Sequence, residues 1–321
     1  MSVNLLVIAD PKAPFLNALS RLPTEVNAIV TSSERELLKQ APEADAVLYA
    51  YHQGSLLGSI LPLAPRLCWV HSLWTGVEGI LVPELLAHPA PLTNGRGVFG
   101  DPLADWTMAA ILHFAFDLRR VIAQQEQGVW RLVHGTPVSG RTLGIVGFGG
   151  IGGAAARRAK AFGMRVAALR RRPELSTPDG LVDAVYGPDR LVDLMAASDY
   201  VLAAAPLTPA TRGLIGEKAM AAMKSTAVIV NVGRGPVIDE QALIQALESQ
   251  RIRGAALDVF AVEPLPDGHP FWSMSNVLLS PHTADRVEGF LDPAFDCFFE
   301  NLERFRRGET LLNVVDKHAG Y

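Results

Sequence analysis

Cysteine is nearly absent from this chain, with Cys68 and Cys297 the only two among 321 residues. Two thiols so far apart make neither a disulfide framework nor a thiolate metal cluster, so no metal site is expected and a reducing, cytoplasmic setting is. An excess of charge of either sign is missing too: 29 Lys and Arg stand against 33 Asp and Glu. With a net charge of -4 and a pI near 6.1, neither nucleic acid nor an anionic membrane is an expected partner. No apolar run is long enough to span a bilayer, and Asp199 interrupts the longest. Met1 to Ala9 carries no basic stretch ahead of its apolar run, so no export signal is expected. The motifs H-E-x-x-H, C-x-x-C, G-x-x-x-x-G-K-S/T and G-x-S-x-G are all absent. Zinc proteases, thiol redox proteins, P-loop hydrolases and serine hydrolases thereby lose their usual marks.

What is present is alternation. Strand-like runs at Val3 to Ala9, Val26 to Val30, Ala46 to Tyr51 and Leu67 to His71 are separated by helical stretches near Phe15 to Leu22, Ser33 to Gln40 and Leu56 to Ala64. Such a series predicts parallel strands with crossover helices. A long helix is expected over Asp101 to Arg120, with Ile111, Leu112, Ala115 and Leu118 on its buried face. The alternation then resumes and predicts strands at Leu143 to Val146, Arg165 to Leu169, Tyr200 to Ala204, Ala227 to Val230, Gly254 to Leu257 and Val277 to Leu279. A last helix is expected near Phe295 to Arg306. A chain of this length accommodates two such domains.

The stretch around which the second half is organised is Gly147-Phe-Gly149-Gly150-Ile151-Gly152, between a buried strand and an Ala-rich helix. Its glycines serve a tight turn, close approach of backbone to a pyrophosphate and close helix packing, with phosphate at the helix N-terminus. A dinucleotide site is therefore expected. Gly95-Arg-Gly97-Val-Phe-Gly100 fits the same template, but Pro91-Leu-Thr-Asn before it does not read as a buried strand, so it is rejected. At the end of the next strand, where a carboxylate would hold the ribose of NAD, stand Arg170, Arg171 and Arg172. Cations there accommodate a 2′-phosphate, so NADP(H) is favoured and NAD(H) remains possible. The first domain has Asp10-Pro-Lys after its first strand, which argues for a substrate role.

Arg234, Glu263 and His282 each fall just past the carboxyl end of a predicted strand of the cofactor domain. Ligands of open α/β sheets bind at that edge. A hydride added to a ketone requires a proton for the developing alkoxide, which an imidazolium gives near neutral pH. A cation must hold the neighbouring carboxylate and the oxygen, and a carboxylate behind the His orients it.

The motifs Gly147 to Gly152, Pro206-Leu-Thr-Pro-Ala-Thr-Arg-Gly213, Asn231-Val-Gly-Arg-Gly-Pro-Val-Ile-Asp239, Ala256 to Pro266 and Leu279-Ser-Pro-His-Thr-Ala284 stand in order. Together with the tail Asn313-Val-Val-Asp, they resemble the D-isomer-specific 2-hydroxyacid dehydrogenases over nearly the whole chain. The resemblance implies Arg234, Glu263 and His282 as the catalytic set. It implies a cofactor lined by Gly147, Gly149, Gly150, Ile151, Gly152, Arg170, Arg171, Pro206, Thr211, Val232, Asp258 and Ala284. The substrate would be held by Thr75, Gly76, Val77 and Arg234. The fold class expected is α/β, with two doubly wound parallel-sheet domains. A discontinuous, flavodoxin-like substrate domain would take residues 1–98 and 287–321, and a Rossmann-type dinucleotide domain residues 99–286. A homodimer is implied as well.

Two departures from the family pattern bear on substrate. Ala104-Asp105-Trp106 replaces the Ala-Glu-His of many members, and Tyr51-His52 stands where phosphoglycerate-type members carry an Arg. The Arg triplet resembles the NADPH-using glyoxylate and hydroxypyruvate reductases. The activity implied is reduction of a small 2-keto acid to the D-2-hydroxy acid. The alternatives are another dehydrogenase of the same fold, of phosphoglycerate or formate type, and a dinucleotide-sensing corepressor without turnover.

Overall fold

The computed structural model describes residues 2–174 and 180–321. The chain divides into two compact units, one of Met1–Phe99 with Glu288–Tyr321 and one of Gly100–Val287. In the first, β1 (Val3–Ile8), β2 (Val26–Thr31), β3 (Ala46–Tyr49), β4 (Trp69–Ser72) and β5 (Leu92–Asn94) form a sheet in the order β2-β1-β3-β4-β5. All pairings are parallel, and β3, β4 and β5 are buried at every position. Continuous burial follows from parallel topology, because crossover segments cover both faces. The C-terminal helix Asp292–Arg307 returns to this unit and buries Ala294, Phe295, Phe298, Asn301 and Leu302, spaced for one helical stripe. Phe298 stacks on Trp69 with ring centroids 5.7 Å apart. Gly308, at φ 69°, ends the helix in the left-handed conformation that a side chain disfavours.

The second unit holds β6 (Thr142–Val146), β7 (Arg165–Leu169), β8 (Ala184–Tyr186), β9 (Tyr200–Ala203), β10 (Val228–Asn231), β11 (Gly254–Leu257) and β12 (Val277–Leu279). Their order is β12-β11-β10-β9-β6-β7-β8, all parallel, so the chain reverses direction across the sheet between β6 and β9. That reversal is the switch point where α/β sheets open a crevice for ligands. The helix Gly100–Ala115 lies against Gly150–Ala161 through small residues: a Cβ on Gly100 would stand 3.2 Å from the Gly150 carbonyl oxygen.

Several local expectations need correction. Leu92–Asn94 is a buried strand, so the ground for rejecting Gly95 to Gly100 as a phosphate loop was wrong. The valid ground is that the helix after it, Gly100–Ala115, belongs to the other unit and does not return to β5. The long helix breaks at Asp117, which takes φ 50°, and resumes as Leu118–Glu126 with no buried residue. Leu118 is accordingly 39% exposed. Pro14–Arg21 is a 3-10 helix. The short strand β8 and the helix Glu217–Ala222 have too few residues for a readable period. Among the described residues no helix is long and apolar enough to cross a membrane.

Candidate active site

The glycine loop leaves β6 and enters Gly150–Ala161, and each glycine answers to a different constraint. Gly147 has φ 98°, and a Cβ there would meet the backbone N of Ala205 at 2.5 Å, where β9 ends beside it. A Cβ on Gly152 would come within 2.7 Å of the Gly147 oxygen and 3.0 Å of Ile145, which fixes the close packing of helix on strand. Around Gly149, by contrast, nothing lies within 4 Å of such a Cβ. An open glycine at the start of a helix whose first amides have no intrahelical partner fits a pyrophosphate.

Just past β7, Arg170 is half-buried, its N–H donates to the Tyr186 oxygen at 3.0 Å, and its guanidinium lies 5.6 Å from the ring centroid of Phe148 in the glycine loop. Arg171 and Arg172 are exposed. The loop after β9 is closed by Thr211, whose hydroxyl donates to the Pro206 oxygen at 2.6 Å and accepts from the Thr208 N–H at 2.8 Å.

Three further loops at the same edge carry the titratable groups. After β10, buried Asn231 accepts from the Gly233 N–H at 3.1 Å and donates to the Arg234 oxygen at 3.2 Å, so its amide shapes the turn that presents Arg234. Val232 is buried within that turn. After β11, Asp258 is 1% exposed, and its Oδ1 accepts from the Ser280 hydroxyl (2.6 Å), the Thr283 N–H (2.8 Å) and the Ala284 N–H (3.1 Å). The Asp258 carbonyl accepts from the His282 N–H at 2.9 Å. One residue of β11's loop thus clamps the loop of β12 and holds His282 at φ 53°, an uncommon conformation for a side-chain-bearing residue.

The clamp brings His282 Nδ1 to 2.7 Å from Glu263 Oε2, while Glu263 Oε1 accepts from the Phe260 N–H at 2.9 Å. The hydrogen bond that His282 donates to Glu263 holds its imidazole above the ordinary range, against partial burial and the Arg234 charge; the Glu263 and Asp258 charges add to the rise. Burial pushes the Glu263 carboxyl up, but the His282 and Phe260 hydrogen bonds and the charges of His282 and Arg234 outweigh it and leave it low. The arrangement therefore favours an ion pair whose imidazolium keeps Nε2 for another partner.

In the first unit, the Thr75 to Val77 segment follows β4. The Thr75 hydroxyl donates to the Gly95 oxygen at 2.7 Å, and the Asn94 amide donates to the Thr75 oxygen at 2.7 Å. Val77 is buried, Gly76 half-buried, and a Cβ on Gly79 would strike the His52 oxygen. His52 stacks on Trp74 at 4.6 Å. Asn231 and Ser280 stand within two of the motifs, yet nothing in the sequence assigns them the turn-shaping and Asp258-binding roles that they take.

A family model described as D-isomer specific 2-hydroxyacid dehydrogenase, NAD binding domain, matches residues 108–284. Glyoxylate reductase of Korarchaeum cryptofilum is 36% identical over 298 residues, covering 89% of this chain and 87% of that protein. The chain belongs to the D-isomer specific 2-hydroxyacid dehydrogenase family. It is accordingly an NAD(P)-dependent oxidoreductase. Among solved structures, a D-isomer specific 2-hydroxyacid dehydrogenase from Xanthobacter autotrophicus in complex with NADPH and MES superposes with a TM-score of 0.86 at 30% identity, covering 100% of both chains. An NADPH-dependent glyoxylate/hydroxypyruvate reductase from Sinorhizobium meliloti, in complex with NADP and sulfate, gives a TM-score of 0.86 at 26% identity, covering 99% of this chain and 100% of that one. This family's two-domain α/β architecture is the one built above from the strand orders.

Proposed function

We propose that the protein reduces a small 2-keto acid of the glyoxylate or hydroxypyruvate kind to the D-2-hydroxy acid, with NADPH as preferred donor and NADH as a weaker alternative. The observation that carries the reading is the 2.7 Å His282–Glu263 pair beside Arg234, on loops at the same sheet edge as an open glycine loop. The related proteins bear on substrate and cofactor through the glyoxylate reductase of Korarchaeum cryptofilum and the NADPH and NADP complexes named above. When bound, the dihydronicotinamide supplies a hydride to the ketone carbon.

Within the proposal, Gly147, Gly149, Gly150, Ile151 and Gly152 hold the pyrophosphate, and Arg170 with Arg171 holds the 2′-phosphate. Pro206, Thr211, Val232, Asp258 and Ala284 line the remainder. Arg234 binds the substrate carboxylate and stabilises the carbonyl oxygen as it becomes an alkoxide. Thr75, Gly76 and Val77 serve the carboxylate through backbone N–H groups. Because Nδ1 is committed to Glu263, His282 carries its transferable proton on Nε2 and gives it to that oxygen; water then restores the proton. The product has gained one hydride at carbon and one proton at oxygen.

Residues 1–98 and 287–321 serve substrate, and residues 99–286 serve the dinucleotide, within the same reading. A cytoplasmic homodimer completes it. Support for the dimer is the apolar surface along one segment of the second unit, where Trp130 is 99%, Leu132 76% and Ile122 52% exposed.

The test pairs NADPH and NADH each with glyoxylate, hydroxypyruvate, pyruvate and a bulky aryl keto acid. Oxidation of NADPH with the first two is expected to be fastest. His282→Ala should lose on the order of 10² to 10⁴ in turnover while still quenching or enhancing NADPH fluorescence on binding. A variant as active as the parent protein overturns the assignment.

A further inference from the structure

A second carboxylate–imidazole pair lies behind the first. Glu240 opens the helix Glu240–Glu248, and its Oε1 stands 3.4 Å from His269 Nε2. His269 Nδ1 accepts from the Phe271 N–H at 3.3 Å, so that nitrogen is unprotonated, and Nε2 carries the proton facing Glu240. The other oxygen, Glu240 Oε2, accepts from the Ala261 N–H at 3.3 Å. Both groups are mostly shielded, with side-chain exposures of 13% for His269 and 23% for Glu240.

The Phe260–Ala261 segment is where these contacts meet the catalytic loop. Phe260 donates its N–H to Glu263 Oε1, and Ala261 donates its own to Glu240 Oε2. From the other side, Gly235, next to Arg234, presses on the same backbone so closely that a Cβ would overlap the Phe260 carbonyl. Successive amides thus point at two different carboxylates, while the turn bearing Arg234 lies against the peptide that joins them. Asn231, Gly235, Glu240, Phe260 and Phe271 line one small cavity behind this junction.

We infer that Glu240, oriented by His269, is a positioning residue: it fixes the 260–261 backbone so that Glu263 is held against His282 Nδ1 and the imidazolium is maintained for proton delivery. The inference rests on the proposed role of the Glu263–His282 pair. Glu263 is partly exposed, with a side-chain exposure of 34%, so a loosened loop lets its carboxylate turn to water. The charged groups facing His282 are Glu263, Arg234 and Asp258; those facing Glu263 are His282 and Arg234. Glu240 acts on neither directly, but through the Ala261 N–H.

The experiment is an NMR titration of the His282 imidazole in the protein without cofactor, its signal assigned by its loss in His282→Ala. Glu240→Ala should lower the His282 pKa, and Glu240→Gln, which keeps an acceptor for the Ala261 N–H, should fall between it and the parent. Glu263→Gln should lower it furthest, and adding Glu240→Ala to Glu263→Gln should move it no further. In reduction assays the kcat of Glu240→Ala should drop on the order of tenfold to a hundredfold, as misplacement of a catalytic group predicts. His269→Leu supplies the same test with a milder change and should shift the titration in the same direction. An unchanged titration in both Glu240→Ala and His269→Leu, with Glu263→Gln shifted, overturns the inference alone. If Glu263→Gln is also unshifted, the pairing beneath it fails as well.

Discussion

Two stretches of this chain carry the same G-x-G-x-x-G spacing after a parallel strand and before a helix, yet they are built for different ends. In Gly147 to Gly152 the first and last glycines are crowded by Ala205, Ile145 and the loop itself, and Gly149 between them faces open space. In Gly95 to Gly100 the first glycine is filled by the chain's own Leu73, Val98 and Phe99, and the last packs on Gly150. The first helix returns to its strand and the second leaves for another unit. The spacing alone does not separate them, since Gly97 faces open space as Gly149 does; the difference is that the helix after Gly149 packs back on β6 and β7, which keeps its N-terminus at the edge of its own sheet, where a phosphate loop requires it.

Single methyl groups should break this comparison cleanly. Gly147→Ala combines φ 98° with a Cβ 2.5 Å from the Ala205 N, and should cost roughly 2–5 kcal/mol of stability. Gly149→Ala should alter stability by less than about 0.5 kcal/mol yet raise the KM for NADPH, because its methyl enters the space left for pyrophosphate. Gly97→Ala, at φ 93° in open surroundings, should cost about 1–2 kcal/mol and leave the KM for NADPH alone. Urea unfolding with initial-rate kinetics on the three variants measures both. A Gly149→Ala protein with parental affinity for NADPH would remove the phosphate loop from the account.

The arginines sharpen the same contrast, since each loop has one nearby. Arg170 lies over Phe148 of the first loop, whereas Arg96 belongs to the second. Charge-assisted bonds to phosphate are worth about 1.5–3 kcal/mol each. Replacing Arg170 and Arg171 by Gln should therefore lower the NADPH to NADH preference by about tenfold to a hundredfold. Arg96→Gln should leave that ratio unchanged. Equal ratios in all three proteins would refute the 2′-phosphate assignment.

Most of the second sheet was legible because its strands are buried runs and its chemistry follows them directly: Arg234, Glu263 and His282 each come within a few residues of a strand end. A carboxylate that clamps a neighbouring loop leaves no such trace. Asp258 gathers Ser280, Thr283 and Ala284 across more than twenty positions, and no local period encodes that contact. Nor does spacing foretell Glu240, which reaches the catalytic loop only because β10 and β11 are neighbours. Strand β5 was misread because three residues beside a proline carry no alternation, and their burial comes from β4 and from Val314 across a long return of the chain. The break at Asp117 was hidden for a related reason: apolar spacing continues past it, while the left-handed turn is a backbone event.

A last comparison sets one histidine of each unit against the other. His71, on β4, is fully buried among Trp69 and Phe298, with its Nδ1 2.7 Å from the Thr93 hydroxyl. Burial alone pushes it down to about 3 from 6.5, so the folded state holds it neutral. Unfolding lets it bind a proton at any pH below 6.5, and stability falls as pH drops from there toward 3. His282 has the opposite sign. Its raised pKa contributes stability that is complete below 6.5 and is lost as pH climbs through the folded value. Glu263 is depressed, so its share is complete above 4.5 and is lost as pH falls through its folded value. Between 4.5 and 6.5 the His282–Glu263 pair is therefore at full strength while His71 is already weakening its own unit. His71→Gln, which keeps a hydrogen-bonding group toward Thr93 but cannot take the proton, should flatten the decline in melting temperature between pH 6.5 and 4.5. Glu263→Gln should leave that decline and lower the melting temperature most within the same window. Circular dichroism melts of the parent and both variants at half-unit steps test the signs. A His71→Gln protein that declines as steeply as the parent would mean that acid enters this fold elsewhere than at the buried imidazole.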